Sequence, residues 1–435
     1  MNKTFTIQTL GCKVNQYESE AIAWHLTKSG FISKSQHAAY AIINTCTVTQ
    51  KAGMQSRQLV RQTIRKHPDA LIIVTGCHAQ ISSEEIQQLE GVHWIVGHAY
   101  KHELPQRIKN HLHPHKPESP EIFISDILHH TTYNHLYLDS LQKRSRPAIK
   151  IQDGCNAFCS YCIVPYARGP SRSLPVDQVV ALVKKIRDNR YQEIILTGIH
   201  LGMYGHDFHP PIPLTQLLNA ILQIPECPRI RLSSIEPLEI TDELIQLVKE
   251  SSKICNHLHI PLQSGDDQTL KHMNRHYTTG YFCDLVHQIH DSIPDIAIGI
   301  DILTGFPTET HAAFEKTLSL LEGLPAAYFH VFPFSLRKGT GIAKQYKSLD
   351  VQTIKTRAKI LRELGGQKRM NFYQSNMDKK QWILVESTDC NHARGLTGNY
   401  IPVTVSSGAL KKNEMTHVQL TGIVSAKEMQ GRLLL

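Results

Sequence analysis

The chain has 435 residues, of which 41% are hydrophobic and 20% are charged, and its formal net charge is +9. This length predicts roughly two to four domains, and the balance of apolar and charged residues excludes a disordered chain. No run approaches the roughly 18 apolar residues of a membrane span, and the first residues lack the apolar core of a secretory signal. We therefore expect a cytoplasmic protein with no membrane partner.

Cysteine and histidine are the unusual residues in the composition. In a reducing cytosol, ten cysteines favour metal binding or catalysis over a disulfide framework. Nine of the 26 histidines lie between His93 and His135. This segment is rich in proline and unevenly spaced, so we interpret it as a surface connector, with a metal site as the alternative.

Strand and helix signals alternate in the first third of the chain, which predicts a parallel sheet covered by helices. Cys12, Cys46 and Cys77 each follow a different predicted strand. Because the carboxyl ends of parallel strands lie along one edge of a sheet, we expect the three thiols to converge there and bind metal. The alternative is three small buried fillers, a common use of free cysteine. The predicted segments are strands at Phe5–Thr9, Ala41–Ile43 and Leu71–Val74, and helices from Gln16 to Gly30 and from Gln50 to Lys66.

A longer alternation starts at Pro147 and predicts six strand–helix units in tandem. Six units suggest an incomplete α/β barrel, short of the usual eight, with its active site at the carboxyl ends of the strands. The predicted strands are Ile149–Gln152, Glu193–Thr197, Arg229–Ser233, His257–Pro261, Ile298–Leu303 and Tyr328–Phe332. The predicted helices are one that begins at Pro175, and Leu214–Ile224, Asp242–Ser251, Thr279–Asp291 and Glu309–Glu322.

The pattern changes again after about Tyr373, where short strands alternate with Gly, Asn and Ser turns. This pattern predicts a small closed β-barrel, a common nucleic-acid-binding module. The predicted strands are Trp382–Glu386, Ile401–Val405 and His417–Val424.

A basic block precedes the predicted β-barrel. Twelve Lys or Arg face three acidic residues between Arg337 and Lys380. A localised block of this kind fits attraction to a polyanion. The alternative is a solvated helix face, since Lys355 and Arg362 lie on a helical pattern.

The strongest chemical signal is a loop with the spacing C-x3-C-x2-C, formed by Cys155, Cys159 and Cys162 directly after the first barrel strand. Three thiolates this close can each bind one iron of a four-iron cube. A conventional electron-transfer cluster uses a fourth cysteine, and none lies nearby, so one iron is left open for a small molecule. Structural zinc normally has four ligands, which argues against the zinc alternative. A redox pair of Cys159 and Cys162 would leave Cys155 unexplained.

The loop resembles the radical S-adenosylmethionine (SAM) signature, and the longer run IQDGCNAFCSYCIVPYARG resembles the methylthiotransferase family in particular. Matches to this family cover essentially the whole chain. KVNQYESEA and SSIEP look most like the branch that modifies threonylcarbamoyladenosine beside the anticodon of tRNA. The other matching motifs are TLGC with Cys12, NTCTV with Cys46, TGC with Cys77, HIPLQSG at His259–Gly265, GFPTET at Gly305–Thr310 and GLTGNYIPV at Gly395–Val403.

The resemblance implies two [4Fe-4S] clusters and SAM as cofactors. One electron into the first cluster would cleave SAM, and the 5′-deoxyadenosyl radical would take hydrogen from the adenine ring. Sulfur would come through the auxiliary cluster, and a second SAM would donate the methyl group. The implied ligands are Cys155, Cys159 and Cys162 for the first cluster and Cys12, Cys46 and Cys77 for the auxiliary cluster.

Four further residues are candidate SAM contacts. Tyr161 beside the third cysteine would pack on the adenine, with core packing as the alternative. Gly198, Gln263 and Ser264 end the second and fourth barrel strands, where the SAM amino group and ribose would lie, although small polar residues cap many barrel strands. The implied domains are a methylthiotransferase domain at 1–135, a radical-SAM barrel at 141–370 and a TRAM-like RNA-binding β-barrel at 373–435.

The implied partners are the anticodon stem-loop of tRNA and a reducing electron-transfer protein. An unstacked base must reach the metal sites, which suits a single-stranded loop. Alternative substrates are isopentenyladenosine in tRNA and a ribosomal-protein side chain. A zinc-stabilised RNA-binding protein without catalytic activity is a hypothesis from a different class.

Overall fold

The computed structural model describes residues 3–111, 116–134, 136, 138 and 144–434. Its first unit is a parallel sheet built from β1 (Thr4–Thr9), β2 (Ile32–Ser33), β3 (Tyr40–Thr45), β4 (Leu71–Gly76), β5 (Trp94–Val96) and β6 (Glu121–Phe123). The strand order is β2-β1-β3-β4-β5-β6. The helices are α1 (Lys13–Lys28), α2 (Gln50–Lys66), α3 (Cys77–Ile81), α4 (Ser83–Gln87) and α5 (Leu104–Asn110).

Apolar residues on both faces of β3 and β4 explain why helices cover this sheet on two sides. Ile42 and Ile73 pack in a core with residues of α1 and α5. Ile43 and Val74 pack in a second core with residues of α2 and α4. Strands buried on both faces read as continuous apolar runs, which is why the sequence pattern located them. The three predicted strands lie within two residues of their observed bounds, but α1 begins at Lys13 rather than Gln16.

The second unit contains six parallel strands in the predicted chain order. They are β7 (Ala148–Lys150), β10 (Glu193–Thr197), β11 (Arg229–Leu232), β12 (His257–Gln263), β13 (Ala297–Thr304) and β14 (Tyr328–Pro333). Hydrogen bonds join them as two three-stranded sheets, β7-β10-β11 and β12-β13-β14, and an isolated bridge between Ile230 and Ile254 lies at the seam. The expected incomplete α/β barrel is confirmed. A short antiparallel pair, β8 (Gln152–Asp153) with β9 (Arg172–Ser173), follows β7 and was not predicted.

The barrel helices are α6 (Val164–Arg168), α7 (Val176–Asp188), α8 (Leu214–Leu222), α9 (Asp242–Glu250), α10 (Asp267–His272), α11 (Thr279–Ser292), α12 (His311–Gly323) and α13 (Val351–Ser375). Threonine side chains cap three of them: Thr241, Thr278 and Thr310 each accept a hydrogen bond from a backbone N–H three residues on. A cap of this kind contributes about 1 kcal/mol. Pro175 precedes α7 as its cap instead of forming its first turn, and α12 begins after Thr310 instead of at Glu309.

The third unit is the expected closed β-barrel, and it has five strands. They are β15 (Lys380–Thr388), β16 (His392–Thr397), β17 (Pro402–Ser406), β18 (Met415–Ser425) and β19 (Glu428–Leu433), closed in the order β15-β16-β17-β19-β18. The sequence pattern missed β16 and β19. Arg229 and Arg231 of β11 attach this unit to the α/β barrel by donating to the carbonyls of Leu396 and Thr397.

The helix α13 carries much of the basic block, and several of its charges are used inside the protein. Arg357 is buried and pairs with Glu309 at 2.5 Å, and Lys368 donates to the carbonyls of Glu322 and Leu324. The block is therefore only partly a solvated face. The helix α13 also runs through the expected domain boundary at 370–373. The three domain ranges stay a prediction.

The histidine-rich segment is described only in part. His113, His115 and His135 lie outside the described residues, and no group of three metal-binding side chains forms among the described histidines of 93–135. Along the described stretches of the chain, every helix is too short or too polar to cross a bilayer.

Candidate active site

The three cysteines of the first unit come together at one edge of its sheet. The strands β1, β3 and β4 are neighbours, and Thr9, Asn44 and Thr75 are aligned across them. Cys46 and Cys77 directly follow β3 and β4 and are 8% and 5% exposed, while Cys12 precedes α1 and is exposed. The structure therefore shows the three cysteines converging at one sheet edge, as expected from their positions after the strands.

Two contacts hold these strand ends close to one another. The side-chain amide of Asn15 donates to the carbonyls of Leu10 and Thr45, and so joins the Cys12 loop to the Cys46 loop. Gly76, directly before Cys77, has a φ of +97°, and a Cβ there would lie 2.4 Å from the carbonyl oxygen of Thr45. Glycine is therefore required for β4 to approach β3 this closely at its end.

The second group of cysteines lies in the loop between β8 and α6. The N–H of Cys155 donates to the carbonyl of Gly169, and the amide of Asn274 donates to the carbonyls of Ala157 and Phe158. The carbonyl of Ser160 accepts from the N–H of Ile342. Contacts from three separate segments thus fix the loop while Cys155, Cys159 and Cys162 stay partly exposed.

The spacing of the sulfurs tests whether either triple fits a single zinc ion. Tetrahedral zinc with bonds of about 2.3 Å holds its sulfurs about 3.8 Å apart. In the described part of the chain, three possible ligands lie with their atoms within 4.8 Å of one another: His259, Asp301 and His330. Neither cysteine triple is as compact as that. A four-iron cube binds each cysteine through a different iron and so holds the sulfurs farther apart. As they stand in the described part of the chain, the triples are therefore too widely spaced for a single zinc ion.

The thiols of Cys77 and Cys162 keep their protons when no metal is bound. Burial, together with the neighbouring thiols of each triple, raises the pKa of Cys77 to about 11 and that of Cys162 to about 12. Iron binding must therefore displace protons, as it does wherever thiolates are the ligands.

His200 contacts the first cluster loop and was not identified from the sequence. Its Nδ1 lies 3.3 Å from the sulfur of Cys155, and its Nε2 lies 2.5 Å from a carboxylate oxygen of Glu239. Burial opposes the charge, but these two contacts raise the pKa of His200 to about 10. Both ring nitrogens are engaged, so His200 is placed to donate to the Cys155 sulfur, the outer-shell contact that orients a ligand. Its position just past β10 was the signal that could have revealed it.

A buried ion network joins the first unit to the cluster loop of the barrel. Glu18 of α1 pairs with Lys101 at 2.6 Å, with Lys150 at 3.1 Å and with Arg168 at 3.0 Å. Arg168 also pairs with Asp153 at 2.8 Å. Burial alone would raise the pKa of Glu18, but Arg168, Lys101 and Lys150 hold it well below its usual range.

The network carries more positive than negative charge, with Lys101, Lys150 and Arg168 facing Glu18 and Asp153. Arg168 also attracts the sulfurs of Cys77 and Cys12 when they are ionised. A surplus of buried cations beside three thiolates suits an anionic cluster at that place. Glu18 lies in the motif KVNQYESEA and Arg168 in PYARG, but their pairing joins residues 150 positions apart, which no local pattern predicts.

The four expected SAM contacts lie around the mouth of the barrel. The Tyr161 ring meets Phe306 edge-to-face at 6.3 Å, and its hydroxyl accepts from Arg275 at 3.0 Å. Gly198 follows β10 and packs against Gln152, and Gln263 ends β12 with a φ of +67°. The buried Ser264 accepts through its hydroxyl from the N–H of Asp266. Their contacts with SAM stay a prediction.

The glycine before the first cluster ligand gives a direct test of the loop. Gly154 has a φ of +77°, and a Cβ there would lie 1.8 Å from the carbonyl oxygen of Pro170. We expect Gly154→Ala to displace Cys155 and to lower bound iron and SAM cleavage together, because backbone atoms cannot move away cheaply. The control is Gly323→Ala, because the Cβ that alanine adds there would meet no neighbouring atom within 4 Å. Normal iron content in Gly154→Ala would contradict the expectation.

Comparison with known families and proteins agrees with this geometry. Residues 149–321 match the Radical SAM superfamily, and residues 4–97 match the Uncharacterized protein family UPF0004. The threonylcarbamoyladenosine tRNA methylthiotransferase MtaB of Bacillus subtilis strain 168 is 37% identical over 92% of this chain and 90% of its own. MtaB of Chlamydia pneumoniae is 35% identical over 97% of each chain. The chain belongs to the radical-SAM methylthiotransferase family.

Two further similarities concern a relative named for another tRNA nucleoside and a solved structure. The tRNA-2-methylthio-N(6)-dimethylallyladenosine synthase of Clostridium botulinum strain Hall is 32% identical over 91% of this chain and 88% of its own. Among solved structures, the radical SAM methyltransferase TsrM from Kitasatospora setae, with cobalamin and a [4Fe-4S] cluster bound, superimposes with a TM-score of 0.57. It is 15% identical and covers 79% of this chain and 77% of its own, so that likeness supports the fold alone.

Proposed function

We propose that this methylthiotransferase acts on tRNA and adds a methylthio group to the adenine ring of N6-threonylcarbamoyladenosine beside the anticodon. The observation that carries the proposal is that two cysteine triples lie at strand ends in two units joined by one buried ion network. The relatives at 37% and 35% identity are named for this substrate, and the relative at 32% is named for dimethylallyladenosine. The name of the latter specifies position 2 of the ring, and we propose the same position here.

The six cysteines divide the work between two [4Fe-4S] clusters. We assign Cys155, Cys159 and Cys162 to the cluster at the barrel, and Cys12, Cys46 and Cys77 to the auxiliary cluster. When bound, the first cluster and one SAM would supply the radical chemistry at the ring, the auxiliary cluster would supply the sulfur, and a second SAM would supply the methyl group.

The protein's own residues hold and orient these groups. His200 donates to the Cys155 sulfur, and the Glu239 carboxylate fixes the orientation of its ring. Arg275, paired with Glu236 at 2.5 Å, orients the hydroxyl of Tyr161 beside the cluster loop, where the adenine of SAM would lie. Gly198, Gln263 and Ser264 would meet the amino group and ribose of SAM. Contacts of this kind would hold SAM and the target C–H bond in a fixed orientation.

The proposed partners are the anticodon stem-loop and a reducing electron-transfer protein. The closed β-barrel at 380–433 and the exposed part of the basic block before it would hold the stem-loop, and the unstacked adenosine would enter between the units. The proposed domains are 1–135, 141–370 and 373–435, and we place the enzyme in the cytoplasm, where tRNA is modified.

The deciding experiment is to delete the gene in its source organism, digest the total tRNA and measure the nucleosides by mass spectrometry. We expect 2-methylthio-threonylcarbamoyladenosine to disappear, its unmethylthiolated precursor to accumulate, and a plasmid copy of the gene to restore the product. Persistence of that nucleoside together with loss of methylthio-isopentenyladenosine would favour the second tRNA substrate. If all tRNA nucleosides are unchanged, a protein substrate would be favoured.

Metal analysis of the anaerobically purified enzyme separates the enzyme from a zinc-stabilised RNA-binding protein. Two four-iron cubes require about eight irons, and as many sulfides, per chain. Zinc without iron or sulfide would contradict the proposed function.

A further inference from the structure

Lys13, the residue that follows Cys12 in the chain, lines a basic cavity to which all three units contribute. Its volume is about 330 Å³. Ile195 of β10 and Tyr400 of the C-terminal barrel form part of its wall, so it reaches the interior of the α/β barrel. The charged residues of the wall are Lys13, Arg144, Arg146 and Lys412, with Glu386 as their acidic neighbour.

Lys13 differs from the paired arginines of this cavity because its ammonium group has no anionic partner among the described residues. Arg144 pairs with Glu20 at 3.0 Å, and Arg146 pairs with Glu386 at 2.6 Å. The side chain of Lys13 is exposed and lines the cavity together with Arg144, Arg146 and Lys412. A cleft walled by one sign of charge attracts a ligand group of the other sign.

The proposed substrate carries such a group. The threonyl part of threonylcarbamoyladenosine ends in a carboxylate, which is ionised at neutral pH because carboxyl groups of this kind have a pKa of about 3.5. The isopentenyl group has no charge. In adenine, C2 and the N6 substituent lie on either side of N1, on the same edge of the ring. A base presented at C2 to the auxiliary cluster therefore directs its N6 side chain to the surroundings of that cluster, and Lys13 is the residue next to Cys12.

We propose that Lys13 binds the carboxylate of the threonylcarbamoyl group and so selects this nucleotide over the isopentenyl one. The inference rests on the proposed function and adds to it the residue that determines the substrate. An RNA phosphate is the other anion that the ammonium group could meet, and the experiment distinguishes the two.

The experiment measures kcat/KM of the reconstituted enzyme on two anticodon stem-loop RNAs. One carries threonylcarbamoyladenosine, and the other carries the same group with its carboxylate replaced by a carboxamide. Because loss of a charge-assisted hydrogen bond costs about 10- to 100-fold, we expect Lys13→Gln to lower kcat/KM on the first RNA by that factor and to have little effect on the second. Lys13→Arg should keep most of the activity, since it retains the charge.

The controls exclude damage to the auxiliary cluster and general loss of RNA affinity. Lys13→Gln should hold as much iron as the wild type, and Lys34→Gln, which removes an exposed lysine of the same unit, should behave as wild type on both RNAs. Equal loss on the two RNAs would assign Lys13 to the phosphate backbone and overturn the inference alone, as would unchanged activity on the first RNA. If the wild-type enzyme makes no methylthio product from the first RNA, the proposed function and this inference fall together.

Discussion

Replacing Cys159 by alanine is expected to abolish both the release of 5′-deoxyadenosine from SAM and the formation of the methylthio nucleoside. Replacing Cys77 should abolish the methylthio product while SAM cleavage continues. The two cysteines belong to separate triples, one in the loop after β8 and one at the end of β4, so under the proposed assignment each variant removes a ligand from one cluster. We expect each loss to exceed about 100-fold, because a direct ligand matters more than the outer-shell partners whose loss costs 10- to 100-fold.

The measurement is single-turnover chromatography of both products with anaerobically reconstituted protein, together with iron content. Each variant should lose about half of its iron, since one cube of two remains. The matched control is Cys390→Ala, because this cysteine is exposed on the C-terminal barrel and belongs to neither triple. Methylthio product from either cluster variant, or an equal loss in Cys390→Ala, would contradict the assignment.

Glu18→Gln is expected to destabilise the first unit and its joint with the barrel by about 3–5 kcal/mol, the cost of removing one partner from a buried ion pair. Glu18 has three cationic partners within 3.1 Å, and its own side chain is 5% exposed. Once Glu18 has lost its charge, Asp153 alone would balance the positive charges of Lys101, Lys150 and Arg168. The matched control is Glu85→Gln, whose partner Arg57 lies at 2.9 Å but whose side chain is 57% exposed, so about 0–1 kcal/mol is expected.

Urea denaturation followed by tryptophan fluorescence measures this effect, because Trp24 and Trp94 lie in the same unit as Glu18. The pKa of Glu18 is held below its ordinary value, so its stabilisation is fully present above a pH of about 4.3 and is lost only as the pH falls through the folded-state pKa. The difference between wild type and Glu18→Gln should therefore stay constant from about pH 6 to pH 8. Equal effects of Glu18→Gln and Glu85→Gln would show that the network contributes no more than a surface pair.

The elements that the sequence located best are those with a local physical signal. The strands before Cys46 and Cys77 are buried on both faces, the six barrel strands each carry apolar residues at regular positions, and the bounds of all eight were predicted within two residues. The strands β16 and β19 of the C-terminal barrel were missed, because HARGLT and EMQGRL mix polar residues and glycine and are buried only by closure of the barrel. The start of α12 was misplaced because the carboxylate of Glu309 accepts from the N–H of Gly305, before the helix begins.

By itself, the sequence determined the family, the two cysteine triples and the order of the three units, since each depends on residue types at short spacings or after apolar strands. Only the tertiary structure decided what surrounds those cysteines. Lys13 reaches the barrel cavity, Glu18 meets Arg168, and His200 reaches Cys155 across 45 residues. Such contacts depend on how segments distant in the chain pack together, and the electrostatics of a site is the sum of charges brought together by that packing, which no local pattern records.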